Sequence, residues 1–128
     1  MITQESVMTT REVANRYYEL ARESKWTEIQ DTLHADDVFG QEPEHVAQLG
    51  IPVITRGKEA IKAKSVANRA KIEAIHSQYC SEPLVAGDYF TVVLKREVTF
   101  IGMPRTQKEE VCVFHVKNGK IVSEQFFF

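Results

Sequence analysis

The chain has 128 residues, 43% of them hydrophobic and 27% charged, which suffices for one hydrophobic core and a single domain spanning 1–128. Sixteen Lys and Arg against 18 Asp and Glu leave a net charge of -2, so no basic field points to nucleic acid. No apolar run approaches membrane-spanning length, and the N-terminal MITQESVMTTRE lacks the apolar core of a signal peptide, so a cytoplasmic protein is expected.

From Thr9 to about Ala70 the apolar residues recur at helical spacing. Thr9 and Glu12 stand in capping-box spacing, where each side chain satisfies an orphan amide of the other residue. Val13, Tyr17, Leu20 and Ala21 then form the buried stripe of a first helix. Ser24 is placed to cap a short second helix carrying Trp26, Ile29 and Leu33. The stretch HADDVFGQEPEHV follows, crowded with acids, His34 and His45, and it reads as a loop in which Asp36 and Asp37 bind nearby amides. A third helix begins after Gly57. Its Ala60, Ala63, Ala67 and Ala70 share a face suited to close approach to a sheet, with Lys58, Lys62 and Arg69 opposite as a solvated face.

From about Glu73 onward the pattern alternates. Strands are expected near 73–86, 88–101, 106–117 and 120–128, separated by AGD, GMP and KNGK. Asn118-Gly119 marks a tight hairpin, because both residues tolerate the positive φ that a primed turn demands. In VCVFHV both parities are apolar: Cys112, Phe114 and Val116 face one way, Val111 and Val113 the other. One sheet face then covers the helices and the other meets a partner chain, with His115 on that second face. No linker divides the two halves, so they share a core as an α+β fold.

The only cysteines, Cys80 and Cys112, lie in apolar runs at no zinc spacing, and are expected as buried free thiols. His34 and His45 stand at no recognised ligand spacing, so no metal is expected. His76, Gln78 and Cys80 alternate along one strand, a polar triplet that fits a cavity lining and makes His76 a candidate acid–base group.

An N-terminal RYYEL helix, ADDVFGQEP, RGKEAIKA, AGDYFTVVL and a closing VFHVKNGKIVSEQF occur in that order. This series resembles the SnoaL-like branch of the nuclear transport factor 2-like superfamily, with its ketosteroid isomerases, scytalone dehydratases and polyketide cyclases. The resemblance covers nearly everything after the first eight residues. It implies a cone-shaped, cystatin-like fold: three N-terminal helices on a curved antiparallel sheet, with a ligand cavity at the mouth and dimers formed through the outer sheet face. It also implies roles. Glu42, before Pro43, matches the general base of the isomerases, and Tyr17 matches the first-helix hydrogen-bond donor to the developing enolate. The neutral carboxylic acid that completes the isomerase oxyanion hole falls at or beside Cys112, a weak donor. Loss of one such donor costs roughly 3 kcal/mol of transition-state stabilisation.

Two classes of function follow. One is a cofactor-independent isomerase, dehydratase or cyclase, with Glu42, Tyr17 and His76 acting on a small hydrophobic molecule held against Trp26, Phe90, Cys112 and Phe114. The other is a non-catalytic ligand-binding or dimerisation module on the same scaffold.

Overall fold

The capping box closes as its spacing predicts: the Glu12 amide donates to Thr9 Oγ1 at 3.1 Å and the Thr9 amide to Glu12 Oε1 at 3.0 Å. It starts α1 (Thr10–Arg22), which buries Val13, Ala14, Tyr17, Leu20 and Ala21. The structure, a computed structural model, describes residues 7–128. Ser24 does not cap α2 (Trp26–Thr32). It takes a left-handed φ of 56° and donates its hydroxyl to Gln78, while Lys25 occupies the N-cap without a side-chain bond.

The acid-rich stretch is not a loop. His34–Gln41 forms β1, with Val38 fully buried and Asp36 and Asp37 exposed. His34 and Val38 are buried four residues apart, across a register shift against β7, and that spacing blends with the helical signals on either side. The Glu42 amide donates to the Val53 carbonyl at 2.7 Å, so the extended backbone continues one residue past β1. Pro43 favours that conformation in its predecessor and then opens a short 3-10 turn, Glu44–Leu49. β2 (Ile54–Arg56) returns antiparallel to β1 and leads into α3 (Lys58–Ala70).

Helix α3 is rotated relative to the alanine pattern. Ala60, Ala63, Ala67 and Ala70 are exposed, and Ile61 is the buried residue. Burying the larger Ile61 side chain outweighs burying alanine methyls. The same rotation lets Lys58 donate to the Asp31 carbonyl at 3.3 Å while Lys62 pairs with the Asp31 carboxylate at 2.5 Å. Both cations thus lie at the negative end of α2.

The remaining chain forms β3 (Ile72–Cys80), β4 (Leu84–Ala86), β5 (Tyr89–Phe100), β6 (Arg105–Lys117) and β7 (Lys120–Phe127). The expected first long strand is therefore divided in two at Ser81–Pro83, where proline removes a ladder donor. The 7-stranded sheet runs β2-β1-β7-β6-β5-β3, with β4 also on β5; every pairing is antiparallel except β1 with β7. The hairpin between β6 and β7 turns on Asn118 (φ 50°) and Gly119 (φ 73°). A Cβ at Gly119 would also meet Val7 Cγ1 at 2.8 Å.

Helices and sheet form the α+β architecture expected, one face of the curved sheet packing on the helices. Phe90, Val92, Cys112, Phe114 and Ile121 are buried on that inner face against Val13, Tyr17, Leu20, Leu33 and Ile61. Among the described residues no helix is long and apolar enough to cross a membrane.

Candidate functional site

Strand parity decides which side chains face the helices. The β5–β6 register is regular from Tyr89 opposite His115 to Thr99 opposite Arg105. Phe90 and Val92 on β5, and Cys112 and Phe114 on β6, are buried. Glu110 shares the parity of Cys112 and therefore belongs to the inner face. On β7, Glu124 pairs with Phe114 and Phe126 with Cys112, which places both on the same face. On β1, Gly40 pairs with Glu124, and its Cβ direction points at Ile61 Cδ1, 3.8 Å away, so this inner row continues to Glu42 two residues on.

The inner face thus carries three carboxylates on an otherwise apolar wall. Glu42 is 15% exposed, and Lys64, one turn beyond Ile61 on α3, donates to its Oε1 at 3.0 Å. Glu110 is 16% exposed and lies 3.3 Å from Lys108. Glu124 is 11% exposed, and its Oε1 lies 2.8 Å from Nε2 of the buried His34. The His34–Glu124 contact is short but is not an aligned hydrogen bond: both ring nitrogens of His34 are buried without a hydrogen-bond partner. We regard the pair as a close electrostatic contact, since the separation alone does not make an aligned bond.

Tyr17 lies over this wall. Its ring packs on Phe114 (centroids 4.7 Å), Phe90 (5.7 Å) and the half-buried Trp26 (6.5 Å). Burial drives the Tyr17 hydroxyl well above the usual tyrosine range, and Cys112, Glu124, Cys80 and Glu110 reinforce the effect. Tyr17 is therefore a proton-bearing donor at neutral pH. Burial likewise raises Cys112 far above the usual thiol range, helped by the charges of Glu110 and Glu124 and by a hydrogen bond to Glu110. Cys80 is pushed up by burial to about 11. Both stay thiols at neutral pH, and neither is an activated nucleophile.

The residues expected at the site are divided by the fold. Tyr17, Trp26, Phe90, Cys112 and Phe114 come together in or against the core, and Glu42 lies on the same sheet face. His76 does not join them. A register shift between Ile75 and Ser77 reverses its direction, so that Nε2 lies 2.8 Å from Thr99 Oγ1, on the face opposite Phe90 and Val92. Gln78 and Cys80 keep the inner parity. Glu110, Glu124, His34 and Lys64 were missed as site residues. The first two share the parity of Cys112 and Phe126; the contact of His34 with Glu124 depends on the parallel β1–β7 pairing.

Two open hollows lie elsewhere. A groove of about 660 Å³ runs between Val7–Arg11 and the turns at Gly87 and Gly119, and a smaller one of about 180 Å³ lies among Gln78, Tyr79, Arg96 and Lys108. Neither is lined by Glu42, Tyr17 or Glu124, so the ligand cavity expected over these residues is neither of the two hollows. Among the described residues no cluster of three or more His, Cys, Asp or Glu is placed to hold a metal ion.

Comparison with known proteins agrees with this architecture. A candidate SnoaL-like polyketide cyclase from Mesorhizobium loti superposes with a TM-score of 0.86 at 31% identity, over 94% of this chain and 100% of that one. TerC, crystallised with polyporic acid, gives 0.74 at 21% identity over 94% and 92% of the two chains. A ketosteroid isomerase-like fold protein from Catenulispora acidiphila, in complex with trimethylamine, gives 0.70 at 20% identity over 94% and 87%. A search of curated proteins returns no match. The SnoaL-like domain model matches residues 8–128, and the chain belongs to that family, in which polyketide cyclases and nuclear transport factor 2-like proteins share the fold.

Proposed function

We propose that the protein is a cofactor-independent acid–base enzyme that removes a proton beside a carbonyl of a small hydrophobic molecule. This is the first step of isomerase, dehydratase or cyclase chemistry. What supports the reading is that Glu42 lies on the sheet face over which the proton-bearing Tyr17 packs. Glu42 is the base. Lys64 holds its Oε1, and Oε2 takes the substrate proton. Tyr17 donates to the carbonyl oxygen as charge develops on it, a contribution that grows in a site shielded from water. Trp26, with Phe90, Phe114 and Cys112 behind Tyr17, supplies the apolar surface for the substrate skeleton. Crystallisation of fold relatives with polyporic acid and with trimethylamine is consistent with a scaffold that takes small molecules.

The test is hydrogen–deuterium exchange at the α-carbon of a bicyclic ketone (a decalone) in D2O, followed by NMR. Wild-type protein should accelerate exchange, and Glu42→Gln should remove at least about 100-fold of the acceleration while ketone binding persists. Binding without acceleration by the wild type would replace the enzyme with a non-catalytic binding module.

A further inference from the structure

We propose that the inner face carries a small cation subsite over Gly40, lined by Glu124, Thr55 and His34, which takes a primary ammonium group. As a statement about the substrate, which it makes an amino ketone, it rests on the reading of Glu42 as base.

Gly40 gives the first observation. It lies inside β1 and is not among the glycines with positive φ, so the backbone does not require a glycine there. Packing does not require one either. A Cβ at this position would meet Glu124 Cγ at 3.5 Å, Glu124 Oε2 at 3.6 Å and Ile61 Cδ1 at 3.8 Å, all ordinary contacts. Glycine weakens a strand interior, and one that neither φ nor crowding explains marks the close approach of another group. A methyl-sized space is thus left open beside a carboxylate.

The polar groups around that space lack partners. Thr55 and Glu124 stand directly opposite Gly40 on its two neighbouring strands, so all three share the inner face. Thr55 is 9% exposed and its Oγ1 has no hydrogen bond; His34, against Glu124, is 3% exposed and neither ring nitrogen has one. Buried polar atoms are nearly always paired, so orphans gathered at one point call for a further group.

Charge decides the class of that group. Glu42 has Lys64 beside it and Glu110 has Lys108, whereas among the described residues no Lys or Arg pairs with Glu124. His34 Nε2 stands 2.8 Å from Glu124 Oε1 without an aligned bond. With the ring proton on Nδ1, two acceptors face each other there. A primary ammonium brings three N–H donors and no lone pair, matching the acceptors of Glu124, His34 and Thr55. A hydroxyl brings one donor and adds lone pairs where they already crowd. Glu124 keeps 11% of its side chain exposed, which leaves the space a way in.

Methylammonium tests the subsite through binding alone. A probe of two heavy atoms binds in the millimolar range at best, which an NMR titration resolves. Methylammonium chloride should give saturable shifts at the His34 ring and the Thr55 amide beyond those of equal sodium chloride, with methanol at least about 10-fold weaker. Gly40→Ala fills the space and keeps every polar group. It should fold as stably as wild type and lose at least about 10-fold in affinity; Glu124→Gln should lose as much, and Gly40→Ala decides the matter if Glu124→Gln does not fold. Absence of saturable binding would leave the space to buried water and overturn the proposal. Equal affinity in wild type and Gly40→Ala would overturn the placement, and methanol binding as well as methylammonium would overturn the ammonium. No proton exchange is read, so failure here leaves Glu42 as base untouched. A wild type that binds methylammonium but shows no α-exchange keeps the subsite and loses the amino ketone.

Discussion

Lys64 Nζ lies 3.0 Å from Glu42 Oε1, joining the middle of α3 to the end of β1 with both side chains less than one-third exposed. The ion pair bridges elements that the chain connects only through the 3-10 turn and β2. A pair this sheltered has more effect than a surface one, and removing one partner leaves the other poorly solvated. Lys64→Met should therefore lower stability by about 1–2 kcal/mol, and adding Glu42→Gln should recover part of that loss. Urea melts of the double-mutant cycle measure the coupling; a value near zero would make the contact incidental.

Tyr17 packs by its ring and works by its hydroxyl. Tyr17→Phe keeps the contacts with Phe90 and Phe114, so the melting temperature should change little. Ketone α-exchange should fall by about 10- to 100-fold, the range expected when one hydrogen-bond donor to a developing oxyanion is lost. An unchanged rate would leave Tyr17 as core packing.

Alkaline pH should destabilise the fold in a definite window. Cys80, Cys112 and Tyr17 all hold their protons more tightly folded than unfolded, chiefly through burial. Their contribution is complete below the unfolded thiol value of 9.0 and declines as pH rises toward and through the folded values, about 11 for Cys80. Melting temperatures from pH 7 to 11 should be flat at first and fall beyond about pH 9. Cys80→Ala should make that fall shallower; an identical slope would exclude Cys80 as a contributor.

The outer sheet face carries an apolar band. Tyr89 stacks on His115 at 4.4 Å, and Val93, Val111 and Phe127 align across β5, β6 and β7, with Val111 43% and Phe127 48% exposed. The Lys95–Glu109 pair, at 3.5 Å, bounds the band on one side. A patch of this kind suits a second copy of the chain. We expect a homodimer in solution, and Val111→Glu with Val113→Glu should convert it to monomer. A wild-type monomer at micromolar concentration in sedimentation would refute this expectation.

Local signals were legible wherever a short-range rule governs the backbone. The Thr9–Glu12 box, the Asn118-Gly119 turn, the buried stripe of α1 and the alternation in β5–β7 are set by neighbours a few residues apart, and the α+β class with its curved sheet follows from them. Long-range pairing decided the rest. β1 is a strand because β7 lies parallel beside it, and nothing inside HADDVFGQ announces that partner. Helix α3 turns on Ile61 because burial and the two lysines at the end of α2 outweigh its alanine stripe. A single extra residue near His76 sends that side chain to the outer face. The site divides along the same line: Tyr17 and the acid before Pro43 stand out in the sequence, whereas Glu110, Glu124, His34 and Lys64 come to the inner face only through strand register and helix rotation. Both depend on contacts between residues far apart in the chain, which no local pattern of residue types encodes.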